Sequence, residues 1–273
     1  MTPVLEGIAA ITFDFGNTLV PVGRDALRRV VELTADGVTA ADPAIDRAAF
    51  LEVWAEERER QFRENVPHFR EVDLAERLVR VFARLRGMTA PRFGDDWDQE
   101  GAAAFSAPDE IARAIDVYSR AFVDGLPAVP GVDELLAGLV AEGRRLAILS
   151  NWPLAATIDR YADARGWSPS LTAIVVSQRV GVIKPHAAIF AAARAALGDP
   201  TPRAILHVGD DWAADVVGAA AVGWRTAWVR ERPEDSPLPS SEPTDDVAAD
   251  LELSVVAELA AHLAPVGAKV ETG

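Results

Sequence analysis

Apolar runs of strand length recur along this chain, and each of the first few ends at a polar side chain. The runs cover residues 8–13, 146–150, 171–177, 204–208 and 224–229. Segments with helical periodicity alternate with the later runs, at residues 132–142, 154–165, 187–197 and 213–222. Strands that alternate with helices in this way predict an α/β fold with a doubly wound parallel sheet.

The interval between the first two runs has a different pattern. It contains no convincing strand, and its apolar residues follow helical spacing at 25–34, 43–64, 72–85 and 109–123. The chain therefore predicts two domains: a core of residues 1–20 and 126–273, and a mostly α-helical domain of residues 21–125. A short strand near 247–249 and a helix over 253–263 are expected to complete the core. The proline-rich acidic stretch 231–243 is interpreted as an exposed loop.

Carboxylates follow two of the predicted strands. The first run delivers Asp14 into a turn at Gly16-Asn17, and the fourth ends on Asp210-Asp211, with Asp215 where a helix begins. The carboxyl ends of parallel strands meet at one edge of a sheet, where ligands bind. An aspartate there can act as a nucleophile, although a single strand-end aspartate can equally cap the next turn.

Two further strand ends supply a hydrogen-bond donor and a cation. The second run ends on Ser150-Asn151, and Lys184 precedes a proline that opens a helical pattern. Lys184 is one of two lysines in a chain that otherwise uses arginine, and a compact ammonium suits a crowded phosphoryl site. A nucleophile, a donor, a cation and clustered acids at successive strand ends indicate phosphoryl transfer with a hard metal ion.

The charge balance limits the partners. There are 42 acidic residues against 27 Lys and Arg, a net charge of −15, which disfavours nucleic acid and anionic membranes. No run approaches the ~20 apolar residues that span a bilayer. The absence of cysteine excludes disulfides and zinc–thiolate sites, and no signal-peptide pattern is present. A cytoplasmic protein with a small-molecule substrate is expected, and its oligomeric state is left open.

This ordered set of residues resembles the motifs of the haloacid dehalogenase (HAD) superfamily. The resemblance implies a Rossmann-like core, a helical cap domain inserted between the first and second motifs, and Mg²⁺ as cofactor. It assigns catalytic roles to Asp14, Ser150 and Lys184. It assigns the metal to Asp14, the backbone carbonyl of Gly16, Asp210 and Asp211, with Asp215 behind them.

Substrate-binding residues are expected in both domains. Thr18 and Asn151 lie beside motif residues, while His68 and Arg70 lie at a proline-containing break in the cap, where loop side chains often face ligands. Arg58 is interpreted differently, as part of a charged, solvated helix face with i,i+4 pairs.

One position departs from the family pattern. The first motif of the family usually has a second aspartate two residues after the nucleophile, which protonates the leaving group and activates water. Gly16 occupies that position here. A general acid/base contributes typically ~10²–10⁴-fold in rate. If the chain is a phosphatase, Gly16→Asp is therefore expected to increase turnover of alkyl phosphates.

Three functions remain open, and the first is favoured. It is a Mg²⁺-dependent phosphatase for a small phosphorylated metabolite, acting through an aspartyl-phosphate on Asp14. The second is a dehalogenase-type hydrolase, because that branch also lacks the second aspartate and shares the run Leu149-Ser150-Asn151, although it typically has tyrosine at the Gly16 position and needs no metal. The third is a binding or regulatory protein with impaired turnover. The phosphonate-cleaving branch is excluded, because it needs a cap lysine and residues 21–125 contain none.

Overall fold

A six-stranded parallel sheet forms the centre of the protein, in the order β3-β2-β1-β4-β5-β6. The structure, a computed structural model, describes residues 5–265, so the predicted core ends 1–4 and 266–273 lie outside the described residues. The strands are β1 Ala10–Phe13, β2 Arg145–Ser150, β3 Ala173–Val176, β4 Ile205–Gly209, β5 Arg225–Val229 and β6 Leu251–Leu253. The predicted doubly wound α/β fold is confirmed.

The central strand β1 explains where the site forms. All four of its residues are buried, as expected for a strand covered by helices on both faces. Phe13 is in register with Ile148 of β2 and Val208 of β4. The residues that follow these three strands therefore meet at one edge of the sheet, at the point where the strand order reverses.

Helices pack on the sheet and also make up most of the segment between β1 and β2. Between the first two strands lie α1 Arg24–Ala41, α2 Arg47–Asn65, α3 Leu74–Leu85, α4 Gln99–Ala103 and α5 Pro108–Gly125. The remaining α-helices are α6 Val132–Ala141, α7 Ala155–Ala164, α8 Ser177–Val180, α9 Ala187–Ala196 and α10 Gly218–Ala221. A π-helical segment, Trp212–Val217, leads into α10. The helices of 24–125 agree with the helical pattern of the sequence, and the division into two domains stays a prediction.

The C-terminal part of the core differs from the prediction. The last strand lies at Leu251–Leu253 rather than near 247–249, and Val256–His262 is a 3₁₀ helix rather than an α-helix. Leu251 and Leu253 are buried while the intervening Glu252 is exposed, so this short alternation provides the face that packs beside β5. Residues 247–249 lack that alternation of apolar and polar side chains.

Residues 21–125, called the cap segment below, contact the core directly beside β2 and β3. The Ile183 N–H donates to the Phe69 carbonyl at 3.0 Å, and the Leu74 N–H donates to the Pro153 carbonyl at 3.0 Å. Deeper in the interface, the ring of Phe122 lies 5.2 Å from that of Trp152. The helical segment is therefore closed over the carboxyl edge of the sheet. Within residues 5–265, no helix has the length and apolar character needed to cross a membrane.

Candidate active site

The predicted nucleophile and the predicted cation are hydrogen-bonded to each other. The Lys184 ammonium donates to Asp14 Oδ1 at 2.7 Å, to Asp215 Oδ1 at 2.6 Å and to the Leu149 carbonyl at 2.9 Å. Burial favours the neutral amine, but the two carboxylates outweigh it and raise the pKa of Lys184. A permanent positive charge is therefore fixed beside Asp14.

Three buried carboxyl groups converge at this edge of the sheet. One oxygen from each of Asp14, Asp210 and Asp215 can be chosen so that all lie within 4.8 Å of one another. Burial raises the pKa of Asp14, and burial together with the charges of Asp14 and Asp215 raises that of Asp210 well above its usual value. For Asp215, burial is outweighed by Lys184 and His207, and its pKa is lowered.

This distribution of charge fits a divalent cation. The three carboxyl groups face two side-chain cations, because Lys184 Nζ donates to Asp14 and Asp215, and Arg232 Nη1 donates to Asp210 Oδ2 at 3.0 Å. Clustered carboxylate oxygens are hard ligands of the type that Mg²⁺ binds. Asp14, Asp210 and Asp215 could therefore hold a metal ion. The Gly16 carbonyl as a further ligand stays a prediction.

Asp211, predicted as a further metal ligand, makes other contacts. Its Oδ1 accepts from the Ala214 N–H at 2.9 Å and from the Ser241 hydroxyl at 2.7 Å, so it caps the helical segment that begins at Trp212. The free N–H groups of a helix terminus require such acceptors. Its Oδ1 is thus engaged in capping, and the third member of the acidic cluster is Asp215. The role of Asp211 as a metal ligand stays a prediction.

The predicted substrate ligands Asn151 and Thr18 hold catalytic groups in place. Asn151 Oδ1 accepts from the Lys184 N–H at 2.7 Å, and its Nδ2 donates to the Lys184 carbonyl at 3.1 Å. The Thr18 hydroxyl donates to Asp210 Oδ1 at 3.4 Å. By contrast, the Ser150 hydroxyl is buried and finds no hydrogen-bond partner among residues 5–265. Of these three side chains, only that of Ser150 has no hydrogen-bond partner in the described residues, so its hydroxyl is available to a ligand.

His68 and Arg70 lie away from the cavities described below. Both side chains are exposed, and Arg70 Nη2 donates to the Glu64 carbonyl at 2.9 Å, which ties it to the end of α2. Their neighbour Phe69 instead lines the larger cavity. The proline lies in a short 3₁₀ helix, Val66–His68, and Phe69 directly after it is the residue that lines the cavity. The substrate-binding roles of His68 and Arg70 stay predictions.

Two adjoining cavities lead from the acidic cluster toward the cap. The smaller, about 80 Å³, is lined by Asp14, Gly16, Lys184 and Asp210. The larger, about 320 Å³, shares Lys184 and Leu238 with it and extends along mostly apolar side chains. Its cap wall is formed by Trp54, Arg58, Phe62, Glu71, Arg77 and Tyr118. The interpretation of Arg58 as a solvated surface residue is therefore corrected, because it faces this cavity.

The stretch interpreted as an exposed loop also contributes to the site. Arg232 contacts Asp210, and the Ser236 hydroxyl accepts from Asn17 Nδ2 at 3.1 Å. Leu238 lies so close to Gly16 that a Cβ at position 16 would be 2.6 Å from Leu238 Cδ1. A glycine at position 16 therefore provides the space that Leu238 occupies.

Sequence reasoning missed Arg77, although a signal was present. Leu74, Leu78 and Val81 form the buried face of α3, and Arg77 falls within the same i, i+3, i+4, i+7 stripe. An arginine within an apolar stripe indicates either a buried partner or a ligand. Leu238 had no comparable signal, because its contact with Gly16 joins distant parts of the chain.

Comparison with known proteins places this site in a family. A family model described as haloacid dehalogenase-like hydrolase matches residues 8–223. A phosphoglycolate phosphatase of Caulobacter vibrioides is 33% identical over 120 residues, which are 44% of this chain and 49% of that protein. A ribulose-1,5-bisphosphate 5-phosphatase of Halopiger xanaduensis is 32% identical over 120 residues, with the same two shares. The chain therefore spans about half the length of these curated relatives.

Solved structures share the fold over almost the whole chain. A 2-haloacid dehalogenase from Pseudomonas syringae pv. Tomato DC3000 superposes with a TM-score of 0.62 at 18% identity, covering 93% of this chain and 97% of the other. A HAD phosphatase from Thermococcus onnurineus gives a TM-score of 0.56 at 18% identity, covering 92% and 96%. At such identities the likeness concerns the fold alone. The match over residues 8–223 shows that this chain belongs to the haloacid dehalogenase-like hydrolases, as its motifs predict.

Proposed function

We propose that the protein is a Mg²⁺-dependent phosphatase that hydrolyses a small phosphorylated metabolite through Asp14. The observation that carries the proposal is the buried cluster of Asp14, Asp210 and Asp215, with an incompletely compensated negative charge beside Lys184. Phosphoryl transfer depends chiefly on positioning and on charge neutralisation, and this site is built for both. The curated relatives named above are phosphatases, which supports the same reaction class.

The reaction would proceed in two displacements. The Asp14 carboxylate attacks phosphorus, the bond from phosphorus to the ester oxygen breaks, and the alcohol leaves as its alkoxide or, with a proton from water, as the alcohol. Water then attacks the phosphorus of the acyl phosphate and releases inorganic phosphate with the Asp14 carboxylate restored. Two displacements replace one difficult hydrolysis with two easier steps.

Several residues would prepare Asp14 for the first step. Lys184 holds Oδ1 of the nucleophile and leaves its second oxygen to attack. Asp215 and the Leu149 carbonyl fix the position of the ammonium, and the unpartnered Ser150 hydroxyl is available to a phosphoryl oxygen. A Mg²⁺ ion held by Asp14, Asp210 and the Gly16 carbonyl would supply further neutralisation of phosphoryl charge.

The absence of a side chain at Gly16 restricts the substrate. Without a positioned general acid, the leaving oxygen must depart with little help from a proton. Esters of acidic alcohols, such as enol or aryl phosphates, have leaving groups that tolerate this. We therefore propose that the physiological substrate has a better leaving group than a simple alkyl phosphate.

A dehalogenase is the second candidate. It is favoured by Gly16, since a halide needs no proton, and by the run Leu149-Ser150-Asn151. The convergence of Asp14, Asp210 and Asp215 argues against it, because displacement of halide by a carboxylate does not require a metal site.

One panel of assays tests these functions. Phosphate and halide release are measured from phosphomonoesters, including aryl esters, and from 2-haloacids, with and without Mg²⁺. We expect phosphate release that requires Mg²⁺ and is lost in Asp14→Asn. Halide release without metal would instead establish the dehalogenase, and silence with both substrate classes would indicate a binding or regulatory protein.

The composition supports two further parts of the proposal. A net charge of −15 is unfavourable for binding nucleic acid, so the partner is expected to be a small molecule. A chain without cysteine needs no oxidising compartment, and we propose a cytoplasmic location.

A further inference from the structure

Arg77 is a buried cation that forms no ion pair with a carboxylate among residues 5–265. Its Nε donates to Gln61 Oε1 at 3.0 Å, and its guanidinium carbon lies 5.5 Å from the centre of the Trp54 ring. Its Nη2 is buried and has no hydrogen-bond partner among residues 5–265. Burial, with a smaller contribution from the charge of Arg58, lowers the pKa of Arg77 to about 10, against the opposing effects of Tyr118, Glu71 and Asp73. An unpaired buried donor on a charged group is unfavourable, so its retention calls for a ligand.

Other arginines of α3 form ion pairs with carboxylates. Arg80, on the same helix and over the ring of Trp97, lies 3.4 Å from Glu64. Arg84 lies 2.9 Å from Glu57. In a chain with 42 acidic residues, carboxylate partners are easily supplied, so an arginine that lacks one at a cavity wall is informative.

Arg58, which is half-exposed, is the second cation on this wall. Its guanidinium carbon lies 4.9 Å from the centre of the Phe62 ring, and within the described part of the chain no carboxylate lies within 4.0 Å of its nitrogens. Arg58 and Arg77 both line the larger cavity, which reaches Lys184 at its other end. The larger cavity thus adjoins the acidic cluster through Lys184 and carries on its cap wall two guanidinium groups that form no ion pair among residues 5–265.

The other polar groups on that wall form no direct ion pair with either cation in the described part of the chain. Burial raises the pKa of Tyr118 to about 12, so its hydroxyl stays protonated. The charge of Glu71 acts on Arg77, but Glu71 forms no ion pair with it among residues 5–265. Its Oε1 accepts from the Val72 N–H at 2.8 Å and its Oε2 from the Ser177 hydroxyl. The remaining wall is mostly apolar.

We propose that Arg58 and Arg77 form a subsite for a second anionic group of the substrate. The substrate is then a phosphate ester with an apolar body and an oxyanion, a carboxylate or a second phosphate, at the end remote from the scissile ester. Guanidinium groups bind such oxyanions through two parallel hydrogen bonds. This inference rests on the proposed phosphatase activity and specifies its substrate class.

Matched esters test the subsite. Three series of aryl phosphates are compared, which carry methyl, carboxylate or phosphate as the remote group. Each series covers the same set of body lengths, so that esters of equal length differ only in the remote group. They are assayed with the wild type, Arg77→Gln and Arg58→Gln. Arg80→Gln is the matched control, because it removes a buried, ring-stacked arginine of the same helix that has a carboxylate partner and does not line the cavity.

The expected result is a change in KM that depends on the remote group. At the best length, an anionic end should raise kcat/KM at least tenfold over the methyl end, and the carboxylate and phosphate series show which oxyanion is preferred. Arg77→Gln should remove about 10- to 100-fold of that preference through KM, as for lost hydrogen bonds to a charged group, with little change in kcat. Arg80→Gln should preserve the preference. Equal kcat/KM for all three ends, or an equal loss for all three in Arg77→Gln, would overturn the subsite.

Failure of the phosphatase proposal can be distinguished from failure of the subsite proposal. If no ester releases phosphate, that proposal fails, and calorimetric binding of the matching phosphonates, which cannot be hydrolysed, decides on the subsite separately. Tighter binding of the anionic-ended phosphonates that Arg77→Gln abolishes would support it, and equal binding would refute it. Arg58→Gln, at a half-exposed position, provides the same comparison should Arg77→Gln not fold.

Discussion

The floor and the cap wall of the cavity handle charge in opposite ways. On the floor, Lys184 lies between Asp14 and Asp215, within hydrogen-bonding distance of both. On the wall, Arg77 keeps a buried nitrogen without an acceptor. The floor is thus electrostatically organised before any ligand arrives, whereas the wall is organised for a ligand that brings its own charge.

This difference separates two roles. Groups that react must be held in place by the protein, and their partners are therefore internal. Groups that recognise a substrate contribute most when their partner is the substrate itself, since an internal partner would compete with it. The predictions below test whether the two regions differ in this sense.

Removal of the floor cation should have the largest effect on stability. Lys184→Met leaves Asp14 and Asp215 buried without their shared partner, and breaking such a buried pair costs about 3–5 kcal/mol. Urea unfolding at neutral pH measures the change in the free energy of unfolding. A loss below about 1 kcal/mol would show that the floor is not held together by this charge.

The second prediction concerns the floor position that lacks an acid. A side chain at Gly16 meets Leu238, so Gly16→Asp alone should not give the gain in turnover expected from the sequence. The double variant Gly16→Asp/Leu238→Ala should increase turnover of alkyl phosphates, by at most about 10²-fold, and of aryl phosphates less. Leu238→Ala alone is the control. Equal rates for the double variant and this control would show that another group already moves the proton.

A third prediction uses the pH dependence of stability at the junction of the two regions. Burial raises the pKa of Glu71 from 4.5 to about 6, an effect opposed by Ser177, Val72 and Arg77 and increased by Asp73. Between these two values the folded protein retains a proton that the unfolded chain has lost, so Glu71 makes stability fall as pH rises through this interval. The contribution levels off above it, at up to about 2 kcal/mol.

Glu71→Gln should remove this contribution. The difference in unfolding free energy between Glu71→Gln and the wild type, measured from pH 4 to 8, should therefore grow in favour of the variant as pH rises and then become constant. A difference that is flat over this range would mean that Glu71 titrates as an ordinary exposed carboxyl.

The smallest effect is expected on the wall. Arg77→Met removes a buried charge without leaving a carboxylate unpaired, so unfolding free energy should stay within about 1 kcal/mol of the wild type or rise. Thermal and urea unfolding of Arg77→Met and Lys184→Met, measured under the same conditions, compare the two losses in the free energy of unfolding. A loss of 3 kcal/mol or more in Arg77→Met would show that the wall arginine is structural and would remove the contrast.

The sequence predicted the sheet and the meeting of its strand-end residues because both depend on local pattern. Apolar runs that end on Asp14, Ser150 and Asp210 reveal strand ends, and parallel strands bring those ends together. The capping role of Asp211 was not predictable in the same way, because it depends on Ser241, which a distant loop supplies. The role of Arg58 depended on which side of α2 faces a cavity, and that is decided by the packing of the cap on the core.

The contact between Gly16 and Leu238 has a consequence for the history of the chain. A Cβ at position 16 would lie 2.6 Å from Leu238 Cδ1, so an aspartate there requires the end of that leucine side chain to move, and we expect the two positions to change together. Among related sequences, an acid at the first position should accompany a smaller residue or a shortened loop at the second. Glycine in the first motif then reflects the packing of the loop after β5 against position 16, as well as the chemistry of the motif.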